Sequence, residues 1–99
     1  MIARTWRGWT SPDDAERYAD YIQETGLAQY SATPGNLGAF LLHRPDGDRT
    51  EFIAFTLWSD MEAIQAFAGD DIETAVFYPR DDEYLVDRET VAHHYTVTV

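Results

Sequence analysis

Apolar positions along this chain change period several times, and each change marks an element. Residues 2–9, IARTWRGW, are short, contain Ile, Thr and two Trp, and stop at a cluster of turn formers, which predicts a strand. Ser11-Pro12-Asp13-Asp14 supplies an N-cap, a proline for the first helical position and an acid three residues after the cap. Ala15, Tyr18, Ala19 and Ile22 then recur at helical spacing, and Gly26-Leu27 has the form of a glycine C-cap, so a helix is expected over Pro12–Thr25. Residues 28–37, with Ser31, Thr33, Pro34, Gly35 and Asn36, read as a loop. Ala39–His43 is a short apolar strand, and Pro45-Asp46-Gly47-Asp48 is a hairpin turn. Glu51–Trp58, EFIAFTLW, is apolar on both faces: Phe52, Ala54 and Trp58 on one, Ile53, Phe55 and Leu57 on the other. Such a strand is central and covered on both sides.

Ser59-Asp60-Met61-Glu62 has the form of a capping box, Met61, Ile64, Phe67 and Ala68 give a helical stripe, and Gly69 ends it. Asp70-Asp71-Ile72-Glu73 repeats the capping pattern, which predicts a second short helix to about Phe77, stopped by Tyr78-Pro79. Residues 80–90 read as an acidic connection, with Asp81-Asp82-Glu83 a solvated run, and Val91–Val99 as a last, β-branched strand. The order strand, helix, strand, strand, helix, strand is that of an α+β, ferredoxin-like βαββαβ protomer: one antiparallel sheet with helices on one face, a single domain over residues 1–99. The helices leave the second apolar face of Glu51–Trp58 bare, and a second copy of the same sheet is the simplest cover. A two-fold homodimer with its sheets face to face is therefore expected.

Composition narrows the chemistry. The 99 residues include no cysteine, which excludes disulfides, thiol nucleophiles and zinc–cysteine sites. All seven basic residues are arginine, so Schiff-base chemistry is excluded as well. A formal net charge of −11 repels phosphate backbones and anionic lipid, so neither nucleic acid nor membrane is an expected partner. The opening MIARTWRGW has no apolar run behind it, so no signal peptide is expected, and the reading is a soluble, cytoplasmic domain. Phosphate-cradling glycine loops, HExxH and GxSxG motifs are missing.

The three Trp, six Tyr and five Phe exceed what a core of this size requires, and they suit a pocket for a flat ring. Trp6, Trp58, Phe67, Phe77 and Tyr78 are its candidate walls; individually each also reads as core or dimer interface. Arg4 and Arg7 lie on opposite faces of the first strand, Arg4 with Trp6. An arginine beside such a pocket would hold an enolate, phenolate or carboxylate, although an ion pair with one of eighteen carboxylates is numerically favoured. His93 and His94 point to opposite faces and cannot jointly chelate a metal, and no metal is expected. His94, beside the small residues Ala92 and Thr96, is the better candidate for a general base, with a hydrogen-bonded core histidine the equal alternative. His43 reads as solvated.

MIARTWRGW, PGNLGAFLL (Pro34 to Leu42) and above all TEFIAFTLWSDMEAIQAFAGDD (Thr50 to Asp71) resemble the antibiotic biosynthesis monooxygenase family of the dimeric α/β-barrel superfamily. The resemblance covers nearly the whole chain. It implies a ferredoxin-like protomer, a homodimeric barrel and a pocket between sheet and helices in each protomer. It also implies a cofactor-free oxygenase that oxidises a phenol, quinol or anthrone with molecular oxygen. Trp58 matches the family's strand-ending tryptophan and is the one residue carried over by motif; His94 or His93, Arg4 and Asn36 are the candidates for the polar roles. A haem-degrading branch of the family relies on positions that align with Thr5, Phe67 and Phe77, none of the required type. Polyketide cyclases or isomerases, and a barrel that only sequesters an aromatic ligand, are the alternatives the resemblance leaves.

Overall fold

The computed structural model describes residues 1–99. Strand β1 (Ile2–Thr10) enters a 3-10 turn at Pro12–Asp14 and helix α1 (Ala15–Ile22). A π turn at Gln23–Leu27 leads without a break into α2 (Ala28–Ala32). Strands β2 (Asn36–Asp46) and β3 (Arg49–Trp58) form the hairpin, followed by α3 (Met61–Ala68). A short helix α4 (Asp81–Tyr84), β4 (Leu85–Arg88) and β5 (His93–Thr96) complete the chain. The antiparallel sheet runs β2-β3-β1, and β4 and β5 share the far edge of β1. This is the ferredoxin-like arrangement, with β3 and β1 central.

Several boundaries differ from the sequence reading: the strand expected over Ala39–His43 runs over Asn36–Asp46, and the last strand, expected over Val91–Val99, pairs only over His93–Thr96. Gly26 does not cap a helix; it lies inside the π turn, and a Cβ there would meet the Tyr78 ring at 3.4 Å and the Tyr30 ring at 3.6 Å. The glycine admits two tyrosines, and the helix continues over residues expected to be loop. The helix ends at Ala32, with Thr33 already extended, and Gly35 turns the chain into the next strand with a φ of 90° that few other residues adopt. Ser11 makes no side-chain cap bond, and at α3 the cap is Asp60 rather than Ser59, its carboxylate accepting from Ala63 N–H at 2.9 Å. The helix expected over Asp70–Phe77 does not form. Its backbone instead bonds to the segment before β5: Ala75 N–H donates to Thr90 O at 3.0 Å and Ala92 N–H to Glu73 O at 2.7 Å. The acidic connection contains α4 and β4; Asp82 and Glu83 of its run are solvated as expected, whereas Asp81 is 3% exposed.

Period-two alternation on β3 divides the molecule. Phe52, Ala54, Thr56 and Trp58 are buried under the helices. Tyr18 and Ile22 of α1 pack on Phe52, and Ala63 and Ile64 of α3 pack on Trp58. On the opposite face Ile53, Phe55 and Leu57 have neighbours only from the sheet, where Phe40 pairs with Phe55 and Leu42 with Ile53. Phe40 and Leu42 stay about half exposed there. No helix is long and apolar enough to cross a membrane.

Candidate functional site

The site begins with β1 register. Arg4 pairs with Thr56 of β3 and with His94 of β5, so all three side chains project to the helix-covered face. Arg4 is 5% exposed. Its guanidinium donates to Ile72 O, to Thr74 O at 3.4 Å and to His94 Nε2 at 2.9 Å. Arginine only donates, so Nε2 of His94 must be the acceptor, with the ring proton on Nδ1. Burial and then the Arg4 charge hold the His94 pKa below the ordinary histidine value, which keeps the ring neutral. Burial likewise lowers Arg4, which remains a cation.

The other six arginines, Arg7, Arg17, Arg44, Arg49, Arg80 and Arg88, each form an ion pair with a carboxylate. Arg4 forms none, although the chain carries eighteen carboxylates, so the ion pair that numbers favoured is not made. Its neighbours are aromatic instead. The guanidinium carbon is 5.9 Å from the centre of the Phe67 ring. Phe67 meets Tyr30 edge to face at 4.6 Å and lies 5.8 Å from Trp58, and Tyr30 is 6.5 Å from Trp58. Trp58 is fully buried; its indole N–H donates to Thr56 Oγ1 at 2.8 Å, and that hydroxyl donates to Arg4 O. Burial raises the Tyr30 pKa, and the charge of Arg4 opposes it.

Tyr30 is also a wall of a second space. Between sheet and helices a chamber of about 20 Å³ is lined by Trp6, Tyr30, Tyr78, Tyr18, Ala54 and Asp81 among others. Trp6 donates from Nε1 to Glu89 O at 2.6 Å and meets Phe77 edge to face at 6.1 Å. Phe77 is partly exposed and lies under Arg88. The Tyr78 hydroxyl donates to Gln29 Oε1 at 2.7 Å, and burial raises its pKa. Thus Trp6, Tyr30 and Tyr78 border the chamber, whereas Trp58, Phe67 and Arg4 lie together on the far side of Tyr30. Asn36 joins neither group: at the β2 bulge its Nδ2 donates to Gly38 O and Leu57 O, both at 3.3 Å. His94 also borders an open depression of about 380 Å³ with Met61, Ile72, Glu73 and Ala92. His93 points to the open face, 3.7 Å from Glu89. Nowhere do three His, Asp or Glu side chains gather in a group able to hold a metal ion.

Tyr18, Tyr30 and Asp81 escaped the sequence reading. Tyr18 and Tyr30 are indistinguishable there from core and loop residues. Asp81 carried one local signal: it follows the Tyr78-Pro79-Arg80 turn, and its Oδ2 accepts from Tyr78 N–H at 2.7 Å.

A family profile described as antibiotic biosynthesis monooxygenase matches residues 1–72. No curated protein matches the chain. Among solved structures, a Nitrosomonas europaea protein bearing the antibiotic biosynthesis monooxygenase name superposes with a TM-score of 0.70 at 16% identity, covering 100% of both chains. A Bacillus cereus protein of the same name gives 0.70 at 10% identity, covering 99% of this chain and 93% of its own. A variant of MhuD, crystallised with two manganese protoporphyrin IX molecules per active site, gives 0.64 at 20% identity, covering 100% of this chain and 96% of its own. At these identities the likeness establishes the fold.

Proposed function

We propose that this chain, which belongs to the antibiotic biosynthesis monooxygenase family, is a cofactor-independent oxygenase of small electron-rich aromatics, phenols, quinols or anthrones. One observation carries the reading: the only arginine without a carboxylate partner is buried against an aromatic cluster that borders a chamber between sheet and helices. A buried cation without a counter-ion is costly in a resting protein and useful where negative charge develops. Deprotonation of an aromatic hydroxyl places that charge on the ring, and the ring anion then reduces oxygen. The charge of Arg4 would steady the anion from across the Tyr30 ring, and Trp6, Tyr30 and Tyr78 would hold the substrate ring. His94 acts as a positioning residue, because its free lone pair is engaged by Arg4. Admitting a ring requires Tyr78 and the irregular segment 75–80 to move, since a chamber of about 20 Å³ holds no more than a water-sized group.

The test is oxygen consumption by the purified protein with a panel of phenols, hydroquinones and anthrones. Uptake with one of them, accompanied by a transient red-shifted substrate anion, is the expected result. Product formed without oxygen would instead support cyclase or isomerase chemistry, and binding without turnover a sequestering barrel. The residues do not suit a porphyrin. Thr5 faces the open side of the sheet opposite Phe55, Phe67 is held between Tyr30 and Trp58, and the His94 Nε2 is taken by Arg4.

We also propose a two-fold homodimer that covers Phe40, Leu42, Ile53 and Phe55, because a bare apolar sheet face is unfavourable in water. Light scattering at micromolar concentration should give twice the 11.3 kDa chain mass. Phe55→Asp should halve that value, and a monomeric native mass would overturn the proposal.

A further inference from the structure

Two polar atoms in the chamber are left without a hydrogen-bond partner: Tyr18 Oη and Asp81 Oδ1. Tyr18 is completely buried, and Asp81 is 3% exposed. These are the only buried side-chain oxygens or nitrogens in the molecule so placed. An unmade hydrogen bond on a buried carboxylate is destabilising, and natural folds rarely retain one without a use. The other carboxylate oxygen is occupied by Tyr78 N–H, which fixes the group and leaves Oδ1 as the free one. The two unpartnered residues therefore share one space, whose other walls are the rings of Trp6, Tyr30 and Tyr78 and four aliphatic side chains.

We infer that this chamber is a subsite for the hydroxyl of a phenol, with Asp81 Oδ1 as the atom that accepts its hydrogen bond and then its proton. The inference rests on the oxygenase reading for the fate of the anion, and it names the proton acceptor that reading lacked. The step balances simply. The O–H bond breaks, its electron pair stays on the phenol oxygen to give the phenolate, and the proton forms a new O–H bond on Asp81. Tyr18 Oη, the other unpartnered atom, would donate to the phenolate oxygen that this step leaves. The size of the chamber fits this division, since about 20 Å³ admits a hydroxyl and excludes a ring. The ring would lie toward Tyr78, the wall whose outer anchor, the bond to Gln29, is exposed. Burial raises the Asp81 pKa above the ordinary carboxylate value, the direction a proton acceptor needs.

Equilibrium dialysis without oxygen separates this inference from the oxygenase reading. The probes are 2-naphthol and its methyl ether, 2-methoxynaphthalene, which keeps the ring and lacks the donor. Native protein should bind the naphthol about 10- to 100-fold more tightly, the range for one hydrogen bond to a charged group. In Asp81→Asn the amide oxygen stays on Tyr78 N–H and the NH2 faces the chamber, so the preference should fall to nearly 1. Tyr18→Phe should reduce it several-fold. Thermal melts of both variants report folding; Asp81→Asn should melt no lower than the native protein, because it removes a desolvated charge. Equal binding of the two probes, no binding of the naphthol, or a preference surviving in Asp81→Asn would each overturn the inference. A preference lost in Asp81→Asn together with no oxygen uptake on any phenol would leave the subsite standing and remove the oxygenase.

Discussion

Replacing Arg4 with methionine is expected to lower kcat/KM for a phenolic substrate by about 100- to 1000-fold, the usual loss for one preorganised donor at a developing anion. The side chain keeps its length and loses its charge and donors. Ile72 O, Thr74 O and His94 Nε2 then lose their partner, so stability should fall by about 1–3 kcal/mol. Arg4→Lys keeps the charge but not the fork that reaches three acceptors, and should recover part of the rate. His94→Ala, which frees the guanidinium on one side, should lower turnover by on the order of 100-fold, the loss a small misplacement brings. His94→Gln, with an amide oxygen in place of Nε2, should restore much of it, which a purely structural histidine would not require. The pH profile carries the same logic. The folded pKa of His94 is depressed, so the neutral ring and its contribution to stability are present above about pH 6.5. Both are lost as pH falls from there through the folded value, because the unfolded chain takes up the proton first. Activity should fall over that window in the native protein and not in His94→Gln. Steady-state kinetics from pH 5 to 8 on these variants, with circular dichroism for folding, is the measurement. An Arg4→Met enzyme of native activity would remove Arg4 from the site.

Trp58→Ala is expected to cost about 3–5 kcal/mol of folding stability, the range for emptying a fully buried large aromatic site. Trp58 is the centre of one of two core clusters, with Ala63 and Ile64 against it and Tyr30 and Phe67 beyond. The cavity would open between β3 and α3, and those neighbours cannot all move to fill it. For a domain of this length each kcal/mol corresponds to roughly 4–8 °C in Tm, so the midpoint should fall by at least about 12 °C. Urea denaturation should show the same loss at an unchanged m-value. Trp58→Phe retains a ring against Phe67 and should cost clearly less. The comparison also bears on function. If Trp58 acts only as the support of Tyr30 and Phe67, Trp58→Phe should retain most of the turnover at a temperature where it is folded. A large loss of turnover in a well-folded Trp58→Phe would assign the indole a direct part in the reaction.

The periodicity of this sequence determined the strands β1 to β3, the hairpin between them, helix α3 and the helix-on-one-face layering. These rest on local alternation, capping and turn chemistry, which neighbouring residues specify among themselves. The same alternation put Arg4 with Trp6 on one face of β1 and Arg7 on the other, and set His93 and His94 on opposite faces; that His94 is the one beside Arg4 follows from the β1–β5 register, a tertiary result. The family, too, was legible, because the motifs that carry its resemblance all end by Asp71. Only the tertiary structure decided the course of the chain after residue 69. There the capping pattern of Asp70–Glu73 was overridden by backbone pairing with residues 90–92, and an acidic run became α4 and β4 on the free edge of β1. Long-range contacts also gave Gly26 its purpose, since the rings it admits come from Tyr30 and from Tyr78, fifty-two positions away. The site itself depends on such contacts. Whether Arg4 meets a carboxylate, and whether Asp81 meets water or a closed chamber, is settled by residues distant in sequence, so no local pattern could carry either answer.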